Sequence, residues 1–466
     1  MPFNSVVFLL LFTPFFLLYW QIPHRLRWKM LLLGSYGFMG LWAYEYMILL
    51  FAVTILTYAS AHLIKSKSRY KKAWLLVGLT GLLGSLFIYK YFNFFSSFAG
   101  GPTLTLLLPI GISFYVFTAS GYLIDVYRSK ENIVENFGRL ALFLSFFPNV
   151  TAGPIESAKR LMPQFVIKKT FSYRRSVSGL QLFTFGLFKK VVIADNLGVV
   201  VDRVFNNPSE YKGLSLVLAV IFFTWQIYAD FSGYTDMARG IARLLGFELL
   251  ENFNAPYLAT SVRDFWRRWH ISLSSWFRDY VYIPLGGSRG GIWHTCFNIL
   301  AVFALTGLWH GAAWTFVLWG SIFGVILSWE RLMMLYFPKV KVHSAVGWLY
   351  TYSVVSVAWV LFRSNSFSEA RYIFRESFSG LRHFVSIQYV WATLVQLFKS
   401  NVFEIFFTLG CLIAIVVLEL TLRGKQIADV LPNFSKPLRW TIYSVTILAI
   451  IMLRNSSIPQ FIYYQF

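Results

Sequence analysis

Runs of about 20 apolar residues, separated by short polar and basic stretches, recur along most of the chain, and that is the length a helix needs to cross a bilayer core. Backbone N–H and C=O groups find no water there, so the crossing segments must be helices or the strands of a closed barrel. These runs are too long and too uniformly apolar for alternating barrel strands. The pattern therefore predicts an all-α polytopic integral membrane protein with about twelve membrane segments. The first covers residues 3–20, and a hairpin of two short helices falls within 30–64. Further spans follow at 73–94, 104–127, 176–204 and 214–228, then after the central stretch at 314–336, 345–362, 402–422 and 438–453.

Interruptions in the pattern are as informative as the runs. Pro148, Gly153, Pro154 and Pro163 forbid a continuous helix, which leaves either a segment dipping into the interior or an ordinary surface loop. Lys189 and Lys190 interrupt an apolar helix and turn part of it toward water or a polar groove. Asp230, Ser232, Tyr234 and Asp236 read as a helix break with side-chain capping. Asp236 also lies at helical spacing from Arg239, so it serves as an ion-pair partner or as a general base. No fixed-period repeat, low-complexity tract or soluble appendage is visible. Residues 1–466 form one integral-membrane domain, with an aromatic C-terminal tail at 455–466.

Composition agrees: 57% of the residues are apolar and the mean hydropathy is +0.58. The formal net charge of +22 invites a nucleic-acid reading, but Lys and Arg gather in short loops such as 24–29 and 65–72. That is the positive-inside bias, with a lesser share available for an anionic ligand or lipid, and no nucleic acid is implied. With the N-terminus outside, the basic loops at 24–29, 65–72, 128–175, 239–291, 339–341 and 423–425 all fall on the cytoplasmic side. The C-terminal tail then falls outside, and the basic residues within 364–401 are the exception. The opening run lacks a charged n-region and a cleavage site, so it reads as a first span and not as a signal peptide. Cys296 and Cys411 lie in apolar runs and make neither a disulfide framework nor a metal cluster.

The candidate chemistry sits between residues 261 and 320, where three histidines occur. His294 follows a glycine-rich turn, where water or headgroups satisfy it. In the His270 segment Val262, Phe265, Trp266, Trp269, Leu273, Trp276 and Phe277 recur with helical spacing, opposite Arg263, Arg267, His270, Ser274 and Arg278. This predicts an amphipathic helix in the membrane interface, with His270 either one more polar-face residue or part of a site. His310 has no such polar face. Its neighbours are Leu308, Trp309, Gly311, Ala312, Ala313 and Trp314, and an ionisable group among these is a site by default. The alternative is a core histidine bonded to a backbone carbonyl.

Three stretches in order, DFSGYTDMARG, FWRRWHISLSSWFRDYVYIPLGG and LTGLWHGAAWTFVLWG, resemble the membrane-bound O-acyltransferase family. The alginate O-acetyltransferase branch of bacteria is the most similar, on PNVTAGPI, the opening apolar run and WVLFRS as well. No metal-ligand, P-loop or GxSxG spacing competes. The resemblance implies a ring of helices around a central tunnel, with cytoplasmic amphipathic helices. It makes His310 the catalytic histidine and His270 the second characteristic one. Span counting puts the two on opposite sides, so they share a reaction only if the membrane is hollowed between them.

By the same resemblance the donor is acetyl-CoA from the cytosol, with no metal. Arg267 and Arg268 are available for its phosphates, and Trp309 and Asp236 are further candidates for donor binding or for the tunnel wall. The ending IPQFIYYQF makes Tyr463 a candidate acyl acceptor, against an aromatic interface anchor. The implied partners are an extracytoplasmic SGNH-type acetyltransferase, a polysaccharide acceptor and the lipid bilayer of a bacterial inner membrane. The competing readings are a peptidoglycan O-acetyltransferase, a D-alanyl exporter of the same family, and a proton-coupled transporter or flippase.

Overall fold

The computed structural model describes residues 2–66, 68–98, 100–129, 133–454 and 461–462. Among these, all regular structure is helical. Eight helices are long and apolar enough to cross a membrane: Tyr44–Ser66, Lys71–Phe98, Tyr173–Asn206, Leu214–Leu244, Ile292–His310, Trp314–Tyr336, Ser344–Arg363 and Val402–Leu422. Val6–Gln21, Ile112–Tyr127 and Lys436–Met452 are apolar but shorter, at 16, 16 and 17 residues. The span expected over 104–127 begins only at Ile112, because Gly111 takes φ +80° and ends the extended approach. A Cβ on Gly111 would lie 2.5 Å from the Val150 carbonyl oxygen, so the turn admits only glycine.

The chain forms two compact units. The first comprises Met1–Phe183, Tyr234–Glu251 and Arg278–Tyr280. It holds a hairpin near the expected place, packed with the helices that follow, but its helices are not both short: His24–Gly40 has 17 residues, while Tyr44–Ser66 has 23 and is long enough to cross. Within this unit the Pro/Gly-broken segment goes to the interior. Every residue from Phe146 to Glu156 is buried, without a helix. Its backbone is held by a bond from Phe147 N–H to Ser35 Oγ at 3.1 Å and by turns such as Gly153 N–H to Asn149 O at 3.1 Å. The Thr151 hydroxyl bonds that of Tyr234. Irregular backbone survives out of water only with such partners.

The second unit comprises Thr184–Gly233, Asn252–Phe277 and Val281–Phe466. Two expectations are corrected here. The helix Leu214–Leu244 runs unbroken through residues 230–236. Asp230 and Ser232 bond across to the helix Tyr173–Asn206, Asp230 Oδ1 to Lys190 Nζ at 2.7 Å and Ser232 Oγ from Lys189 Nζ at 3.1 Å. Lys189 and Lys190, expected to face water or a polar groove, are buried. They open a π-helical stretch, Lys189–Ala194, and Lys190 also pairs with Asp195 at 2.7 Å. The π-turn brings Lys190 between the two carboxylates, which is what a buried ammonium requires.

Candidate active site

The segment expected to be one amphipathic helix is two. Val262–Arg268 and Ile271–Phe277 are separated at Trp269–His270, where His270 takes φ +43°. Two side chains, a hydroxyl and a carboxylate, start the first helix. Ser261 Oγ accepts from Asp264 N–H at 3.1 Å, and Glu330 accepts from Val262 N–H at 2.8 Å and Arg263 N–H at 2.9 Å. The break is held by the preceding segment. Asn252 O accepts from Ile271 N–H at 3.0 Å, Asn252 Oδ1 from Ser272 N–H at 3.1 Å, and Arg268 O from Asn254 N–H at 3.0 Å. Three of the backbone groups freed by ending one helix and starting another thus find partners in that segment.

The break decides where the side chains go. Had the helix continued, His270 would have shared a face with Arg263 and Arg267. Instead those arginines are exposed and His270 is only 1% exposed. The anchoring-helix reading of His270 is therefore corrected. Burial pushes its imidazole down to about 3, so it is neutral at ordinary pH. Phe231 stands edge-on to it at 4.7 Å between centroids, and Trp309 at 5.9 Å.

His310 closes the helix Ile292–His310 and is 3% exposed. The next helix folds back tightly, because Gly307 and Gly320 let the two backbones touch. A Cβ on Gly307 would lie 2.2 Å from Phe316 O, and one on Gly320 2.1 Å from Phe303 O. That hairpin sets Trp319 edge-on to His310 at 5.2 Å, while Phe362 meets the imidazole at 5.3 Å. The rings of His270 and His310 are 6.5 Å apart, so the two histidines that span counting separated lie in one cluster of aromatic side chains.

A cavity of about 380 Å³ opens nearby in the same unit, lined by Trp266, Leu273 and Phe277 together with Arg263, Arg267 and Arg331. The three arginines are exposed. Trp266 meets Trp319 at 5.8 Å, so the cavity is two ring contacts from His310. Guanidinium groups and apolar side chains in one cavity suit a ligand that carries both phosphates and a carbon chain.

Residues 36–367, well over half the chain, match the membrane-bound O-acyltransferase family. The chain belongs to that family. The probable alginate O-acetylase AlgI of Azotobacter vinelandii is 39% identical over 393 residues, covering 81% of this chain and 78% of the relative. The peptidoglycan O-acetyltransferase of Helicobacter pylori is 36% identical over 413 residues, covering 79% and 78%. The teichoic acid D-alanyltransferase of Bacillus subtilis is 29% identical over 248 residues, covering 49% of this chain. The protein is a multi-pass membrane acyltransferase.

In this acyltransferase His270, His310 and Trp309 come together, and Arg267 lines the cavity. Arg268 does not line it; its guanidinium pairs with Asp264 at 2.9 Å. Asp236 belongs to the first unit, where Arg239 reaches it at 3.5 Å and Glu251 at 3.3 Å, in keeping with the ion-pair reading. Tyr463 lies outside the described residues, although Phe461 and Ile462 just before it are buried. Sequence reasoning missed Lys190, Asp195 and Asp230 as a cluster. Charged residues inside apolar runs were the available signal, and they are far apart in the chain.

Proposed function

We propose that this acyltransferase takes an acetyl group from cytosolic acetyl-CoA and delivers it across a bacterial inner membrane for O-acetylation of an extracytoplasmic polysaccharide, an alginate-like exopolysaccharide first. The observation that carries this reading is the 6.5 Å approach of two buried imidazoles in a cluster of aromatic rings. Water would hydrolyse a thioester, and a cluster of Trp and Phe rings excludes it. The arginine-rimmed cavity supports a donor bearing phosphates.

In the proposed reaction the His310 imidazole accepts the proton of an attacking hydroxyl as its oxygen forms a bond to the thioester carbonyl carbon. The carbon–sulfur bond then breaks, and coenzyme A leaves as the thiol with the proton that His310 returns. A base placed in this way contributes on the order of 10²–10⁴ in rate. His270, held neutral, orients the reacting groups. The first hydroxyl is the phenol of Tyr463, favoured over a mere anchor because Phe461 and Ile462 are buried beside the aromatic cluster. An SGNH-type partner then takes the acyl group from the phenol ester to the polymer.

The test is coenzyme A release by purified protein in nanodiscs with labelled acetyl-CoA. His310→Ala is expected to lower release at least about 10²-fold with unchanged thermal unfolding. Full release by a folded His310→Ala protein would end the proposal. Mass spectrometry of the C-terminal peptide is expected to find label on Tyr463. The likeness to a peptidoglycan O-acetyltransferase, with almost the same coverage, favours peptidoglycan as the second acceptor reading. Acetyl content of the wall against that of the exopolysaccharide, in cells with and without the protein, separates the two.

A further inference from the structure

The Lys190–Asp195–Asp230 cluster has no part in the chemistry above, yet it touches the tail. Ile462 N–H donates to Asp230 Oδ2 at 2.8 Å, while the other oxygen of the same carboxylate holds Lys190 Nζ at 2.7 Å. Lys190 is fixed in turn by Asp195 at 2.7 Å. Beside this bond Phe461 packs on Phe231 at 5.9 Å, and Phe231 is the ring that stands 4.7 Å from His270. Further back, Asn196 Nδ2 donates to Leu453 O at 3.2 Å. The chain that leads to the tail is thus gripped at Leu453 and again at Ile462, both times by side chains at or near the π-helical stretch.

Burying three charges is costly, and an apolar cluster of equal volume would often be more stable. A backbone amide has no side chain to recognise, so a carboxylate with one oxygen to spare is the natural receptor for it. We infer that Asp230 is the seat of the C-terminal tail: its carboxylate, oriented by Lys190, binds the Ile462 amide and fixes the register of the tail at the residue before Tyr463. Asp230 is then a positioning residue for acyl transfer, acting through the tail. The seat itself follows from the contacts above, and only its purpose rests on the relay through Tyr463.

Two variants approach the same bond from opposite sides. Asp230→Ala removes the acceptor. Ile462→Pro removes the N–H and leaves the ionic cluster untouched. The readout is the rate at which a maleimide labels Gln465→Cys in the full chain in nanodiscs, with Cys296 and Cys411 replaced by alanine. The parent tail is expected to react slowly, and each variant about tenfold faster or more, as befits the loss of a charge-assisted hydrogen bond. Because both act on one bond, the double variant is expected to match either single one within about twofold. An Ile462→Pro tail that reacts as slowly as the parent overturns the seat, as does an Asp230→Ala effect undiminished in the Ile462→Pro background. Isotopically labelled donor given to the same proteins separates the two ideas. A slowly reacting parent tail without isotope on Tyr463 removes the relay and supports the seat, whereas a parent tail as reactive as the variants removes the seat even where Tyr463 carries isotope.

Discussion

His270 holds a left-handed backbone, φ +43°, at a strain of about 1–3 kcal/mol for a residue with a side chain. Asn252 sustains it with two hydrogen bonds, and the result is an imidazole buried beyond the reach of solvent. The linkage has a definite sign. The unfolded histidine takes up a proton near its ordinary 6.5, the folded one only near 3, so the unfolded state binds more protons between those values and stability falls as pH falls below 6.5. From pH 7 to pH 5 this one group accounts for about 2 kcal/mol at about 1.4 kcal/mol per unit. His270→Gln is expected to flatten that part of the acid-induced drop in Tm, read by thermal unfolding at the two pH values. An equal drop in both proteins would show that the ring is solvated. Two adjacent arginines differ in the same local way. Arg267 lines the cavity and Arg268 is held by Asp264, so Arg267→Ala is expected to raise KM for acetyl-CoA about tenfold at near-constant kcat, and Arg268→Ala to leave it within about twofold.

At the scale of the element, what the sequence made legible was the apolar helix, and what it concealed was the break. Trp314–Tyr336 and Val402–Leu422 appear at the expected residues, because a long apolar run in hydrocarbon has only one satisfied backbone conformation. The break at His270 was hidden because its partners, Asn252 and Asn254, lie outside the periodic stretch and no spacing rule reaches them. The false break at Asp230 has the mirror-image cause, since residues that favour caps were serving partners on another helix. The Gly307 and Gly320 contacts were readable as small residues but not as to what they met. They make a test of the hairpin that carries His310. Gly307→Ala forces a Cβ against Phe316 O and is expected to cost about 1–3 kcal/mol with loss of activity. Gly410→Ala, where a Cβ meets nothing within 4 Å, is expected to be neutral or to stabilise by up to about 1 kcal/mol. Chemical unfolding in a fixed detergent compares the pair.

For the whole molecule, the basic loops and the helix lengths disagree in an instructive way. If only the eight long helices cross, the loop near Arg69 and the stretch holding Arg139, Lys159, Arg160, Lys168 and Lys169 fall on opposite sides of the membrane. The positive-inside bias puts both in the cytoplasm. That conflict disappears once Ile112–Tyr127 also crosses, and the matching one for Arg25, Arg27 and Lys29 once His24–Gly40 does, although the 16 residues of Ile112–Tyr127 reach only about 24 Å at 1.5 Å per residue, against a core of about 30 Å. A crossing that short needs a locally thinned bilayer, because the extended residues 103–107 that precede it are exposed and cannot lie in hydrocarbon. Cysteines placed one at a time in a background with Cys296 and Cys411 replaced by alanine decide the matter, probed with an impermeant maleimide on intact and on lysed cells. Arg69→Cys and Lys159→Cys are expected to react only after lysis, and Thr103→Cys, which lies between the two helices, to react on intact cells. If Lys159→Cys instead labels on intact cells with Thr103→Cys, the short helix does not cross, and the charge pattern has then been misread as orientation when it marks a surface for anionic lipid.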